Sequence, residues 1–184
     1  VQPIGSALSL ERDAVLVDSS EIYRNVGVLN HGRGLFEKPA LNGYETRYPV
    51  MFRLHRDQLV YSKLFAWEGS VTVVPAESGG AYVSSEFPTF AVDESVADAA
   101  YIRNVTAWAG FVEQLSGLTS GLGQRRQRVN IEQFLSALVP LPDLPEQRRI
   151  AAHLDQLERT AARMSLRMDH HDQLLATEQL PRLI

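Results

Sequence analysis

The residue types able to do chemistry are few in this chain and poorly spaced for it. Its five histidines are His31, His55, His153, His170 and His171, and it has no cysteine. No histidine falls in an H-E-x-x-H or comparable ligand spacing. His170 and His171 are adjacent, so on a helix they point about 100° apart and cannot easily share a metal ion. The missing cysteines exclude a disulfide scaffold, a zinc ribbon, a thiol nucleophile and an iron–sulfur site. There is no G-x-S-x-G elbow, no P-loop and no G-x-G-x-x-G; Gly32-x-Gly34 alone is a weak signal. No N/D-P-P-Y/F motif of an amino-methyltransferase occurs. Neither Lys38 nor Lys63 has a carboxylate two residues before it, as a D…E-x-K nuclease site requires. Carboxylate pairs such as Asp93 and Glu94 are ordinary on solvated loops. No catalytic site, cofactor or metal is therefore expected.

The chemistry that remains is cationic. The 184 residues carry 18 basic and 22 acidic side chains, a net charge of −4. That excludes a uniformly basic nucleic-acid binder but leaves room for a basic face, because a phosphate backbone responds to the charge distribution. Every base except Lys38 and Lys63 is arginine. Arginine suits bidentate contacts to phosphate and guanine, although genome composition gives the same bias. Charge also alternates in sign along the chain. Residues 24–63 sum to +4, 64–99 to −6, and 118–130 to +3 through Arg125, Arg126 and Arg128. Two basic segments around an acidic one can assemble into one basic face.

Candidate contacts for a phosphate-bearing polyanion follow. Gln124, Arg125, Arg126 and Arg128 lie in a glycine-flanked loop ahead of a helix, placed to grip phosphates or enter a groove. Arg33 sits between Gly32 and Gly34, which permit close backbone approach. Lys63 follows a strand and precedes Trp67, a residue more often core than base-stacking. Ser84 and Ser85 offer hydroxyl donors, and Arg47 is a weaker candidate. Each also has a plain reading as a surface loop residue.

These residues need elements to hold them. Residues 1–143 contain all the glycine and aromatic residues and read as a mixed α+β domain, rich in short strands. Strands are expected at 14–17, 22–29, 59–64, 71–74, 81–83 and 87–92. A turn falls at Glu68–Gly69, and Gly79-Gly80 forms a hairpin turn. Pro88 favours a sheet edge or a strand start. Ile102, Val105, Ala109 and Val112 predict one amphipathic helix over 99–115. Asn130, with Gln133 three residues on, predicts a capping box opening a helix over 131–138, stopped by Pro140 and Pro142.

Residues 144–184 have no glycine and no aromatic, and read as one long helix with Pro145 in its first turn. Ile150, Leu154, Leu157, Ala161, Met164, Met168, His171 and Leu175 recur at alternating steps of four and three, a coiled-coil seam. Such a stripe packs on a partner helix or folds back on its own domain. About 35 helical residues span roughly 50 Å. A charged His171 on the seam would make pairing sensitive to pH. No run of about 18 apolar residues exists, so no membrane helix is expected. The absent start methionine points to a trimmed chain.

The junction Ile131-Glu-Gln-Phe-Leu-Ser-Ala-Leu-Val-Pro-Leu-Pro-Asp-Leu-Pro-Glu-Gln-Arg-Arg-Ile150 resembles the hallmark of specificity (S) subunits of Type I restriction–modification systems. There a short helix leads to an apolar-Pro-Leu-Pro turn, then P-x-E-Q-x-x-I opens a long helix. Asp57-Gln-Leu-Val-Tyr-Ser-Lys-Leu-Phe-Ala-Trp-Glu-Gly69 is similar to that family's central strand and loop. So are Tyr23-Arg-Asn-Val-Gly27, Gly32-Arg-Gly-Leu-Phe36 and Val83-Ser-Ser-Glu-Phe87. The resemblance covers essentially the whole chain, and the order of the motifs makes it specific.

The resemblance implies a non-catalytic, cytoplasmic subunit. Residues 1–143 would be a target recognition domain reading half of a split sequence in double-stranded DNA, and 144–184 a spacer helix. Methyltransferase (M) subunits would dock on this frame, and in some assemblies a restriction (R) subunit. The family carries two recognition domains and two helices; this sequence has one of each. It is then half of a longer subunit or a half-subunit that self-associates through 150–175. A spacer of that length matches about 15 base pairs. Two other readings stay open: the specificity region of a fused single-chain restriction–modification enzyme, and a coiled-coil adaptor that binds only protein. A small hydrolase or nuclease with an unrecognised site is a third.

Overall fold

The computed structural model describes residues 1–118 and 128–178, with 165–178 as helix backbone alone. By its internal contacts the chain divides into two compact units, Val1–Arg148 and the chain from Arg149 onward.

The first unit mixes short strands and helices. In chain order it holds β1 (Gln2–Pro3), a 3-10 turn (Ile4–Ala7), β2 (Leu8–Leu10), β3 (Asp13–Leu16), β4 (Ile22–Tyr23), β5 (Val26–Val28), β6 (Leu35–Glu37), β7 (Leu41–Asn42), β8 (Val50–Arg53) and β9 (Leu59–Tyr61). Then come a 3-10 turn (Ala66–Glu68), β10 (Val71–Val73), a further 3-10 turn (Ala76–Ser78), β11 (Tyr82–Val83), β12 (Thr89–Val92), α1 (Ala99–Ala107), α2 (Ala109–Gly117), α3 (Ile131–Ser136) and β13 (Leu138–Val139). The long helix α4 (Leu144–Glu178) follows. The strands form antiparallel sheets ordered β10-β9-β12-β2 and β11-β8-β3, with paired ribbons β1-β13, β4-β7 and β5-β6.

Two cores hold these sheets. Val26, Val28, Phe52, Leu54, Val60, Val74, Ala81 and Val83 form one. The other is aromatic. Tyr61 of β9 stacks on Phe134 of α3 with centroids 4.1 Å apart, Phe90 of β12 lies 5.9 Å from Phe134, and Phe111 of α2 meets Phe134 edge-on at 5.7 Å. The buried Tyr61 hydroxyl donates to the Val129 carbonyl at 3.2 Å, and burial raises its phenol well above the usual tyrosine range. This corner ties α3 and the residues ahead of it to the central sheet.

Several sequence expectations change, among them the strand over 22–29, which is two strands, β4 and β5, in separate ribbons. The helix over 99–115 is two helices, broken at Trp108, whose ψ of 135° is extended. The break re-phases the buried stripe. Ile102 and Val105 are buried before it; Phe111 and Leu115, rather than Ala109 and Val112, are buried after it. Within α1 the Thr106 hydroxyl donates to Ile102 O and the Asn104 amide to Ala100 O, contacts that compete with the helical ladder. Gly79-Gly80 is not a hairpin turn. Gly80 N donates to Leu54 O and Leu54 N to Ala81 O, so the chain crosses to the other sheet and β11 pairs with β8. Of the two places read for Pro88 the strand start holds and the sheet edge does not: Pro88 stands just ahead of β12, which is interior, paired with both β2 and β9. The helix at 131 does open on the Asn130–Gln133 capping box. It ends at Ser136 instead of 138, because Leu138 and Val139 pair with Pro3 and Gln2.

The start of α4 is anchored in the first unit. Asp143 accepts from Glu146 N through its carboxylate. Gln147 is fully buried, accepts from Asp98 N at 3.0 Å, and donates to Val96 O at 3.0 Å and Pro142 O at 2.8 Å. Further along, Ile150 and Leu154 are half-buried, Ala161 is exposed, and Leu157 and Met164 are 52% and 60% exposed. The helix backbone continues through Met168, His171 and Leu175, whose side chains lie outside the described residues.

Candidate nucleic-acid interface

The loop 62–70 between β9 and β10 is the centre of the candidate interface. It is folded on itself: Ala66 N donates to Ser62 O, Ser70 N to Phe65 O and Ser62 N to Ser70 O. The buried Ser70 hydroxyl donates to Val28 O at 2.9 Å and fastens the loop to β5. Phe65 is half exposed at its crest. Trp67 is half-buried, with its indole N–H donating to Leu64 O at 2.8 Å, so it braces the loop.

Lys63 lies at one end of this loop. Its backbone N–H donates to Glu86 O, and its ammonium donates to Ser85 O at 3.1 Å. Ser84–Phe87 is itself a turn, closed by Phe87 N on Ser84 O at 3.1 Å. Arg128 pairs with the Glu86 carboxylate at 3.1 Å, and Val129 N donates to Lys63 O. Residues far apart in sequence, Lys63, Ser84, Ser85 and Arg128, thus meet around one turn. A cavity of about 380 Å³ lined by Lys63, Asn130, Ile131 and Glu132 opens beside them. Arg128 arrives already paired, so a phosphate there competes with Glu86.

Arg33 lies at the loop's other end. His31 N donates to Glu68 O and Gly32 N to Gly69 O, both at 2.9 Å, and the Asn30 amide donates to the Glu68 carboxylate. Gly32 has φ +64°, a left-handed value that glycine adopts at no steric cost. Arg33 is exposed, and its Nε donates to Asn30 O at 3.0 Å, which fixes the plane of its guanidinium fork. Gln124, Arg125 and Arg126 lie outside the described residues.

Lys38 was not a candidate from the sequence. Its ammonium sits 5.0 Å from the Phe87 ring centroid and 5.7 Å from that of Phe36, beside the Ser84–Phe87 turn. Burial lowers its pKa from the lysine value. Nothing in the residues flanking Lys38 marks it; only the packing of β6 brings it here. The basic segment 24–63 does not act as one basic face. Arg24 pairs with Glu37, Arg53 with Asp13 and Arg56 with Asp57, which leaves Arg33, Lys38 and Lys63 beside the candidate interface and Arg47 exposed between β7 and β8, with no contact that ties it to loop 62–70. Among the described residues no three His, Cys, Asp or Glu side chains lie together as metal ligands, and no helix is long and apolar enough to cross a membrane.

The two units together are a mixed α+β domain followed by one long helix. That architecture is found in solved structures of Type I restriction–modification specificity subunits. The HsdS subunit from Thermoanaerobacter tengcongensis superposes with a TM-score of 0.73 at 18% identity, over 93% of this chain and 45% of that one. A chain solved for complex assembly and conformational transition of the type I R-M system gives 0.69 at 20% identity, over 98% and 49%. The Type I restriction–modification S subunit from M. genitalium gives 0.52 at 14% identity, over 94% and 43%. The chain has their fold over nearly its whole length and spans about half of theirs. No protein-family model matches the sequence, and no curated protein matches it.

Proposed function

We propose that this chain is the DNA-recognition component of a Type I restriction–modification system and has no catalytic site of its own. Residues 1–143 read one half of a bipartite target, and 144–184 act as the spacer helix. The observation that carries this reading is the fold likeness, which spans domain and helix together rather than the domain alone. The DNA face is built from Arg33, Lys63, Ser84, Ser85 and Arg128 around loop 62–70, joined by Lys38; Gln124, Arg125 and Arg126, outside the described residues, are further proposed contacts. The helix seam from Ile150 to Leu175 pairs with a second copy or with the helix of a second recognition domain. Leu157 and Met164, exposed in the single chain, support that pairing. Methyltransferase subunits, and a restriction subunit where one exists, assemble on this frame in the cytoplasm. They supply the chemistry.

The test is methyl transfer to a duplex library by the cognate methyltransferase subunit, with and without this chain. The expected result is methylation at a split sequence only when the chain is present. Arg33→Ala with Lys63→Ala should weaken binding and flatten its salt dependence by about 0.9 for each phosphate no longer neutralised. Identical methylation without the chain would overturn the reading.

A further inference from the structure

Trp108 is 53% exposed at the break between α1 and α2. Its ring is held in place: a Cβ on Gly110 would lie 2.4 Å from it, so the indole lies directly on that glycine. An exposed, pre-positioned indole loses little conformational freedom on binding.

Its surroundings continue the candidate interface. A Cβ on Gly32 would lie 2.5 Å from that of Ala107, so the 30–34 loop packs against the residue before Trp108. That loop brings His31 and Arg33, both exposed. His31 is held at φ +60°, a backbone state that non-glycine residues rarely adopt and that clusters at functional sites. The acidic groups on these elements are Glu68, whose carboxylate takes the Asn30 amide, and Glu113, exposed on α2.

We propose that Trp108 is a duplex-DNA contact that lays its indole against the deoxyribose next to the phosphate taken by Arg33. This rests on the DNA-reading function proposed above and extends it to a residue on a different element. Sugar and phosphate contacts fix register and orientation on the duplex and carry no sequence information themselves. Trp108 is therefore a positioning contact, and its removal weakens all sequences alike.

The test places 5-fluorotryptophan in this chain only and assembles it with unlabelled methyltransferase subunit. The chain has two tryptophans, so Trp108→Phe assigns the two fluorine resonances. Added duplex DNA should shift the Trp108 resonance. Trp108→Ala should weaken binding by a similar factor on every duplex tested, and Trp108→Phe should restore most of it. Suppose the assembly binds DNA and Arg33→Ala weakens that binding. If the Trp108 resonance then stays put and Trp108→Ala binds normally, the proposal is overturned while the DNA-reading function stands. A shift produced by the methyltransferase subunit before any DNA is added makes Trp108 a protein contact, which also overturns it. An assembly that binds no DNA at all overturns both.

Discussion

The aromatic corner of the first unit and the seam of α4 put apolar side chains to opposite ends. In the corner, Tyr61, Phe90, Phe111 and Phe134 are all fully buried against one another. On the seam, Leu157 and Met164 remain more than half exposed. Burial yields about 25 cal/mol per Å² of apolar surface, so the corner has collected its stabilisation within one chain and the seam has not. The corner makes a fold; the seam leaves apolar surface uncovered at Leu157 and Met164.

The largest expected effect tests the first half of that contrast. Phe134→Ala removes the ring on which three others pack, and should destabilise the chain by about 3–5 kcal/mol. Calorimetry that finds the melting temperature nearly unchanged would show that the corner is not what holds the domain. Next comes the seam. Leu157→Glu with Met164→Glu should abolish self-association, on the order of 2 kcal/mol per side chain, and leave the melting of the monomer unchanged. Light scattering reads the mass. A clean monomer for both wild type and variant would assign the seam to a second helix of another or a longer chain.

A third variant probes the first turn of α4, inside the first unit. Gln147→Ala strands the Asp98 N–H and two carbonyls inside the protein, and should cost about 1–3 kcal/mol in urea unfolding. A neutral result would mean that water replaces the buried amide. The smallest effect concerns pH. The Ser95 hydroxyl and backbone N–H hold the Asp93 carboxyl below its ordinary range. Its contribution to stability is present above the unfolded aspartate pKa of about 3.9 and is lost as pH falls through the lowered value. Asp93→Asn should therefore flatten the acid limb of the stability curve slightly, and unchanged curvature below about pH 4 would assign that limb to other carboxylates.

Some of this was legible in the residues. The capping box at Asn130 and the Pro145 start of α4 depend on neighbours within one helical turn, and both stand as read. The break at Trp108 was not legible, because the 3.6-residue rhythm runs through it; only the change of buried partners, from Ile102 and Val105 to Phe111 and Leu115, reveals it. Lys63 and Arg128 were nameable one at a time. Their meeting around Glu86, and the arrival of Lys38, were not, because those contacts cross the sheets.

The residues by themselves determined the mixed domain, the long helix with its seam, and the poverty of catalytic groups, since each depends on composition or on spacing within a few turns. Only the tertiary structure decided which cations face the candidate interface and which are spent in pairs such as Arg24 with Glu37. Charge counted along a chain carries no direction. The long-range pairing of strands and loops sets which side chains meet, and so which charges neutralise one another before any partner arrives.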